Sequence, residues 1–212
     1  MASNEELVRY LVTTGWIRSE RVREAFLAVN RILFVPKNAR SAAYYDMPFP
    51  IGYGQTISAP SVVAFMLEKL DVPEGAKVLE LGTGSGYNVA LLSCLVGPKG
   101  RVISFDVVPE LVDFAQGNIE KWGKTSNIEL ISGDGSCGYD AEAPYDRIIV
   151  TASMPSIENH PLIKQLKSEG KMIAPVGSRF YQDLVLYSKG VYEKVLPVMF
   201  VPLIGKCGFS KE

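Results

Sequence analysis

Along the first third of the chain, apolar residues recur at helical spacing. Residues 5–35 predict helix, with Ser19 as a cap and Val22, Ala25, Phe26 and Val29 on one apolar stripe. Pro36 ends that run. The next stretch, SAAYYDMPFPIGYGQTIS at 41–58, holds two Pro, two Gly and three Tyr and shows no period. So long an irregular stretch in a compact domain is either a functional loop or an element that the pattern fails to mark. A short helix follows, with Pro60 in its first turn and Val63, Met66, Leu67 and Leu70 facing inward.

From residue 77 the period changes. KVLELG, RVISFDV, NIELISGD and YDRIIVTA are short, β-branched, mostly apolar runs. Helix-compatible stretches at Tyr87–Val96 and Pro109–Trp122 follow the first two, and a third spans about 158–167. Strands alternating with helices predict βαβ units and a mainly parallel sheet covered on both faces. After KMIAPVG come DLVLYSKG and VYEKVLPVMFVPL, separated by a Lys-Gly turn, which predict terminal antiparallel strands. The pattern fits one Rossmann-like α/β domain over 1–212. Residues 1–58 form a helical cap and loop, 59–180 the core, and 181–212 the antiparallel addition.

Composition narrows the class. With 212 residues, 47% hydrophobic and 21% charged, the chain is neither disordered nor fibrous. A net charge of −1 supplies no field for nucleic acid or acidic lipid, and no run reaches the roughly 18 apolar residues of a membrane span. The opening MASNEELVRY is acidic where an export signal is basic, so a cytoplasmic protein is expected. Cys94, Cys137 and Cys207 are odd in number and lack CxxC spacing, which predicts neither a disulfide framework nor a zinc site. The single His160 excludes a His-rich metal centre, and no metal is expected.

The strongest motif runs from strand into helix: Val78-Leu79-Glu80-Leu81-Gly82-Thr83-Gly84-Ser85-Gly86-Tyr87. Its glycines admit backbone angles other residues resist and let a ligand approach the main chain. The dinucleotide fingerprint GxGxxG would place its third glycine at Tyr87, so the spacing is GxGxG instead. Glu80, two residues before the turn, disfavours a pyrophosphate and suits a cationic ligand. Asp106 ends the second strand, where a carboxylate can accept from both hydroxyls of a ribose. Gly133-Asp134-Gly135 ends the third, placed to flank an adenine. The three acids together outline a nucleoside site that carries positive charge.

These stretches resemble the S-adenosylmethionine-dependent methyltransferases. AYYDMPFPIGYGQTISAP at 43–60, SGDGSCGYDAEAPYDRIIVTA at 132–152 and QLKSEGKMIAPVG at 165–177 narrow the resemblance to the protein-L-isoaspartate (D-aspartate) O-methyltransferases, over nearly the whole chain and in family order. The resemblance implies a seven-stranded sheet with S-adenosylmethionine over Gly82, Thr83, Gly84, Ser85 and Gly86. Asp106 and Val107 would then lie at the ribose, with Gly133, Asp134 and Gly135 at the adenine. It further implies that Thr56 and Ile57 close over the methyl donor, that Ser58 is the catalytic residue, and that Tyr53 with Val201, Pro202 and Leu203 meets the substrate, a damaged protein or peptide bearing an isoaspartyl residue. Ser61 stands where many relatives have His, and Asp106 where several have Glu.

The implied reaction moves a methyl group from the sulfonium to the free α-carboxylate of L-isoaspartate, with D-aspartate as a further substrate. The ester then recloses to a succinimide without the enzyme. A carboxylate is already ionised at neutral pH, so no general base is needed. Alignment and exclusion of water would carry the rate, with Ser58 a hydrogen-bonding positioner rather than a nucleophile. The rival reading, a methyltransferase acting on RNA or a small molecule, lacks a basic stripe or appended module. Trp16 and Trp122 read as packing anchors, His160 as a helix-start residue, Cys137 as a buried filler, Lys99, Lys121 and Lys124 as solvated surface, and Asp46 as either a loop brace or a substrate contact.

Overall fold

The computed structural model describes residues 1–123 and 126–210; Lys124 lies outside them. The predicted 5–35 helix is two helices and a turn. Helix α1 (Asn4–Thr13) is capped by Ser3, and α2 (Glu20–Ala28) by Ser19, whose side chain accepts from the Val22 N–H. The break falls at Gly15, with φ +79°, after which the Trp16 and Ile17 amides both turn back to the Leu11 carbonyl. A 3-10 turn at Arg31–Phe34 follows.

The expected irregular loop contains structure too short for periodicity to reveal. After a 3-10 turn at Lys37–Ala42, β1 (Phe49–Gly52) and β2 (Gln55–Ile57) form an antiparallel hairpin that pairs Phe49 with Ile57. Helix α3 (Pro60–Leu70) begins immediately after it. Its N-cap residue, Ala59, has no side chain to offer, and Asp46 Oδ1 accepts from the Ser61 N–H at 2.9 Å instead. Asp46 therefore braces the loop.

The central sheet comprises β3 (Lys77–Leu81), β4 (Arg101–Asp106), β5 (Ile128–Ser132), β6 (Tyr145–Val150), β7 (Leu166–Gly177), β8 (Gln182–Ser188) and β9 (Val191–Val198). The order is β5-β4-β3-β6-β7-β8-β9, parallel through β7 and antiparallel beyond, as expected. Helices α4 (Tyr87–Val96) and α5 (Pro109–Trp122) make the first two crossovers. Alternate residues of the central strands feed two cores. Val78, Ile149 and Ile173 pack with the helices, while Leu79, Leu81, Ile148 and Val150 pack on the opposite face. That second face is covered by α6 (Pro161–Lys164) and by Leu203 of the C-terminal segment. The predicted helix at 158–167 thus shrinks to one turn. His160 caps it, and Leu166 already belongs to β7.

Cysteine use departs from expectation. Cys137 and Cys207 form a disulfide across 70 residues, with Cα atoms 5.1 Å apart, and Cys94 stays outside it. An odd count and absent CxxC spacing bear only on local pairing. Here the C-terminal segment returns over the end of β5, and Cys137 is a tether rather than a filler. Trp16 packs edge-on against Phe65, and Trp122 Nε1 donates to the Ala28 carbonyl, so both are anchors. No described helix is long and apolar enough to cross a membrane, and no cluster of metal-ligating residues occurs among the described residues.

Candidate active site

Strand order reverses on either side of β3, and in such sheets the crevice at the carboxyl ends of the strands receives ligands. The turn after β3 lies there. Gly82 N–H and Thr83 N–H both donate to the Phe105 carbonyl, at 2.8 and 3.1 Å, which locks the turn to β4. Thr151, at the end of β6, donates its hydroxyl to the carbonyls of Leu81 and Gly82. A Cβ at position 82 would lie 2.4 Å from that hydroxyl, and φ there is +101°, so only glycine fits. Gly82, Thr83, Gly84 and Ser85 floor the cleft. Gly86 does not line it; its space is taken by Ala115 and Ile119 of α5, each 3.2 Å from a notional Cβ.

Asp106 stands beside this floor. Its Oδ2 accepts from Gly84 N–H at 2.9 Å and its Oδ1 from Val108 N–H at 3.0 Å. Burial raises its pKa, and these amide bonds oppose the rise. Each oxygen keeps acceptor capacity for a further donor. Val107, Gly133 and Gly135 continue the wall. Gly135 is pressed against Phe105, whose Cβ would be 2.6 Å from any added Cβ, leaving no room for a side chain.

Two acids singled out in the sequence lie elsewhere. Glu80 is wholly buried behind the turn, where its carboxylate accepts from Asn88 Nδ2 and from the Ser104 hydroxyl, each at 2.6 Å. Burial pushes its pKa up to about 7 despite those two bonds, and the nearby Asp106 charge adds to the rise. Asp134 turns from the cleft to the C-terminal segment, accepting from the Ser136 and Lys206 amides. Burial alone would raise its pKa, but these bonds and the Lys206 charge outweigh it and hold the carboxyl low.

The roof comes from the two ends of the chain. Thr56, Ile57 and Ser58 descend from the hairpin, and Val201, Pro202 and Leu203 approach from the other side. The latter are fixed by a parallel bridge to Ser153, three residues beyond β6, with Ser153 N–H donating to Val201 O and Leu203 N–H to Ser153 O. Beyond them, Cys207 N–H donates to the Ser136 hydroxyl and the disulfide completes the strap. Tyr53 stands at the hairpin tip, 61% exposed and outside the cleft wall. The sequence reading overlooked Tyr87 and Asn88, first-turn residues of α4 that also line the cleft, as well as Thr151 and Ser136. It also missed Arg31, which is fully buried behind the roof. A charged residue inside the apolar run VNRILFVP was the available signal.

The donors and acceptors suit an adenosyl ligand. Asp106 has acceptor capacity for two vicinal hydroxyls, the glycine floor admits a ligand against bare backbone, and Asn88 Oδ1 is a buried acceptor without a partner among the described residues. Fold and cleft together define an S-adenosylmethionine-dependent methyltransferase. The model of the family described as protein-L-isoaspartate(D-aspartate) O-methyltransferase matches residues 2–208. A protein-L-isoaspartate O-methyltransferase of Methanopyrus kandleri is 49% identical over 214 residues, covering 99% of this chain and 94% of that protein. One from Methanothrix thermoacetophila is 52% identical over 195 residues, covering 91% of each. Among solved structures, one described as a protein-L-isoaspartate O-methyltransferase of Plasmodium falciparum in complex with S-adenosyl-L-homocysteine superposes with a TM-score of 0.86. It shares 26% identity and covers 96% of this chain and 99% of that one. The chain belongs to the protein-L-isoaspartate O-methyltransferase family.

Proposed function

We propose that this protein methylates the free α-carboxylate of L-isoaspartyl residues in damaged cytoplasmic proteins, and the free side-chain β-carboxylate of D-aspartyl residues as a second substrate, so that the ester can reclose to a succinimide and be repaired. Bound S-adenosylmethionine supplies the activated methyl group. Gly82 to Ser85 lie under it, Asp106 holds the ribose hydroxyls, and Gly133, Gly135 and Ser136 border the adenine. Asp134 and Glu80 act behind this surface, one securing the strap and the other bracing the turn through Asn88 and Ser104. Ser58 donates its hydroxyl to one substrate carboxylate oxygen, which directs the other oxygen toward the methyl group. The roof of Thr56, Ile57 and Val201 to Leu203 excludes water. The incoming oxygen is already an anion, so no proton need be removed.

The observation that supports this reading best is the position of Ser58. Ser58 lines the same cleft as Asp106 and the glycine turn, its backbone carbonyl is held by Arg31, and no described residue hydrogen-bonds to its hydroxyl. A positioner needs that freedom, while a nucleophile would need an activating base. The test is transfer of labelled methyl from S-adenosylmethionine to twin peptides differing only in isoaspartate or aspartate. Label should enter the isoaspartyl twin alone. Ser58→Ala should lower turnover about 100-fold, the scale of lost alignment, with S-adenosylhomocysteine affinity retained. Equal labelling of both twins, or full turnover by the variant, would overturn the reading.

A further inference from the structure

Arg31 is wholly buried, yet it is a cation. Its Nη2 donates to the Ser58 carbonyl at 2.9 Å, and its guanidinium carbon lies 5.0 Å from the centre of the Tyr87 ring. Nε and Nη1 have no partner among the described residues, and the nearby Tyr87 hydroxyl forms no hydrogen bond of good geometry with them. Burial lowers its pKa to about 10, with Tyr87 and the Asp46 charge opposing, so it stays charged at neutral pH. A guanidinium buried with two edges unpaired is strongly unfavourable, and an apolar side chain of similar length would fill the space without that penalty.

The peptide that Arg31 grips joins Ser58 to Ala59. It is trans, so its C=O and N–H point in opposite directions. Holding the carbonyl turns the Ala59 N–H away from the guanidinium. That N–H has no acceptor among the described residues, and it stands at the positive end of α3 beside the cleft-lining Ser58. We propose that Arg31 is a positioning residue that clamps the Ser58 carbonyl so that the Ser58 hydroxyl and the Ala59 N–H form a paired donor for the substrate carboxylate. The charge-assisted bond also polarises the peptide toward the substrate. Keeping the cation one peptide away avoids over-stabilising the anion that the reaction discharges. The inference rests on the carboxylate-methylating role proposed for this cleft.

Two variants test it beside the wild type. Arg31→Met removes the clamp while keeping volume, and Ala59→Pro removes the N–H at a residue whose φ of −57° and ψ of 137° already suit proline. Both should retain S-adenosylhomocysteine affinity by calorimetry. Both should raise KM for the isoaspartyl peptide about tenfold or more, the scale of one lost hydrogen bond to a charged group. Arg31→Lys should recover part of the loss. Unchanged KM in Ala59→Pro, or in a folded Arg31→Met, overturns the inference, as does a loss that merely follows cofactor affinity. If wild type fails to label the isoaspartyl peptide, the function itself falls; normal wild-type labelling with unaffected variants refutes the clamp alone.

Discussion

Glu80 shows how a residue can be correctly noticed and wrongly placed. Its position before the glycine turn is visible in the sequence, but strand alternation turns it behind the turn, onto Asn88 and Ser104. Because its folded pKa of about 7 exceeds the ordinary 4.5, the folded state holds the proton more tightly than the unfolded one. Its contribution to stability is therefore complete below about pH 4.5 and is lost as pH rises through 7, on the order of 3 kcal/mol by pH 8. Glu80→Gln, which can still accept from Asn88 and donate to Ser104, should be more stable than wild type at pH 8 and nearly equal to it at pH 4.5. Urea unfolding at the two pH values measures this. Arg31 is the opposite case, a functional residue hidden because no motif marks it and its partner lies 27 positions away.

Elements were legible where they were long. The β-branched runs of the sheet and the apolar stripes of α3, α4 and α5 sit where periodicity placed them. Strands β1 and β2, of four and three residues, offer too few alternations to register, so the roof of the site was seen only as a loop. The start of α3 depends on a residue outside the helix: Asp46 caps it through the Ser61 amide because Ala59 cannot. Asp46→Ala should destabilise the protein by about 1 kcal/mol, the value of a lost N-cap, read as a lower urea midpoint with an unchanged slope. Asp46→Asn, which keeps an accepting oxygen, should restore most of it.

At the scale of the whole molecule, fold class and the terminal antiparallel strands followed from the order of the runs, whereas the path of the last ten described residues did not. Nothing local indicates that Cys207 reaches Cys137, or that Lys206 and Cys207 donate to Asp134 and Ser136. In the chain-entropy picture, a loop of 70 residues gains about 4 kcal/mol from closure. Dithiothreitol should therefore lower the melting temperature of the wild type, while Cys207→Ser should melt at that reduced value whether or not the reductant is present. The cleft also draws its walls from three distant parts of the chain: the hairpin, the ends of the central strands, and the strap. Neither the hairpin nor the strap is a strand of the central sheet. A ligand filling the cleft would touch all three at once, so occupancy would supply part of the closure that the sheet does not. A bound nucleoside would then serve as a removable structural member, and protease susceptibility of the hairpin and strap should fall as methyl donor is added.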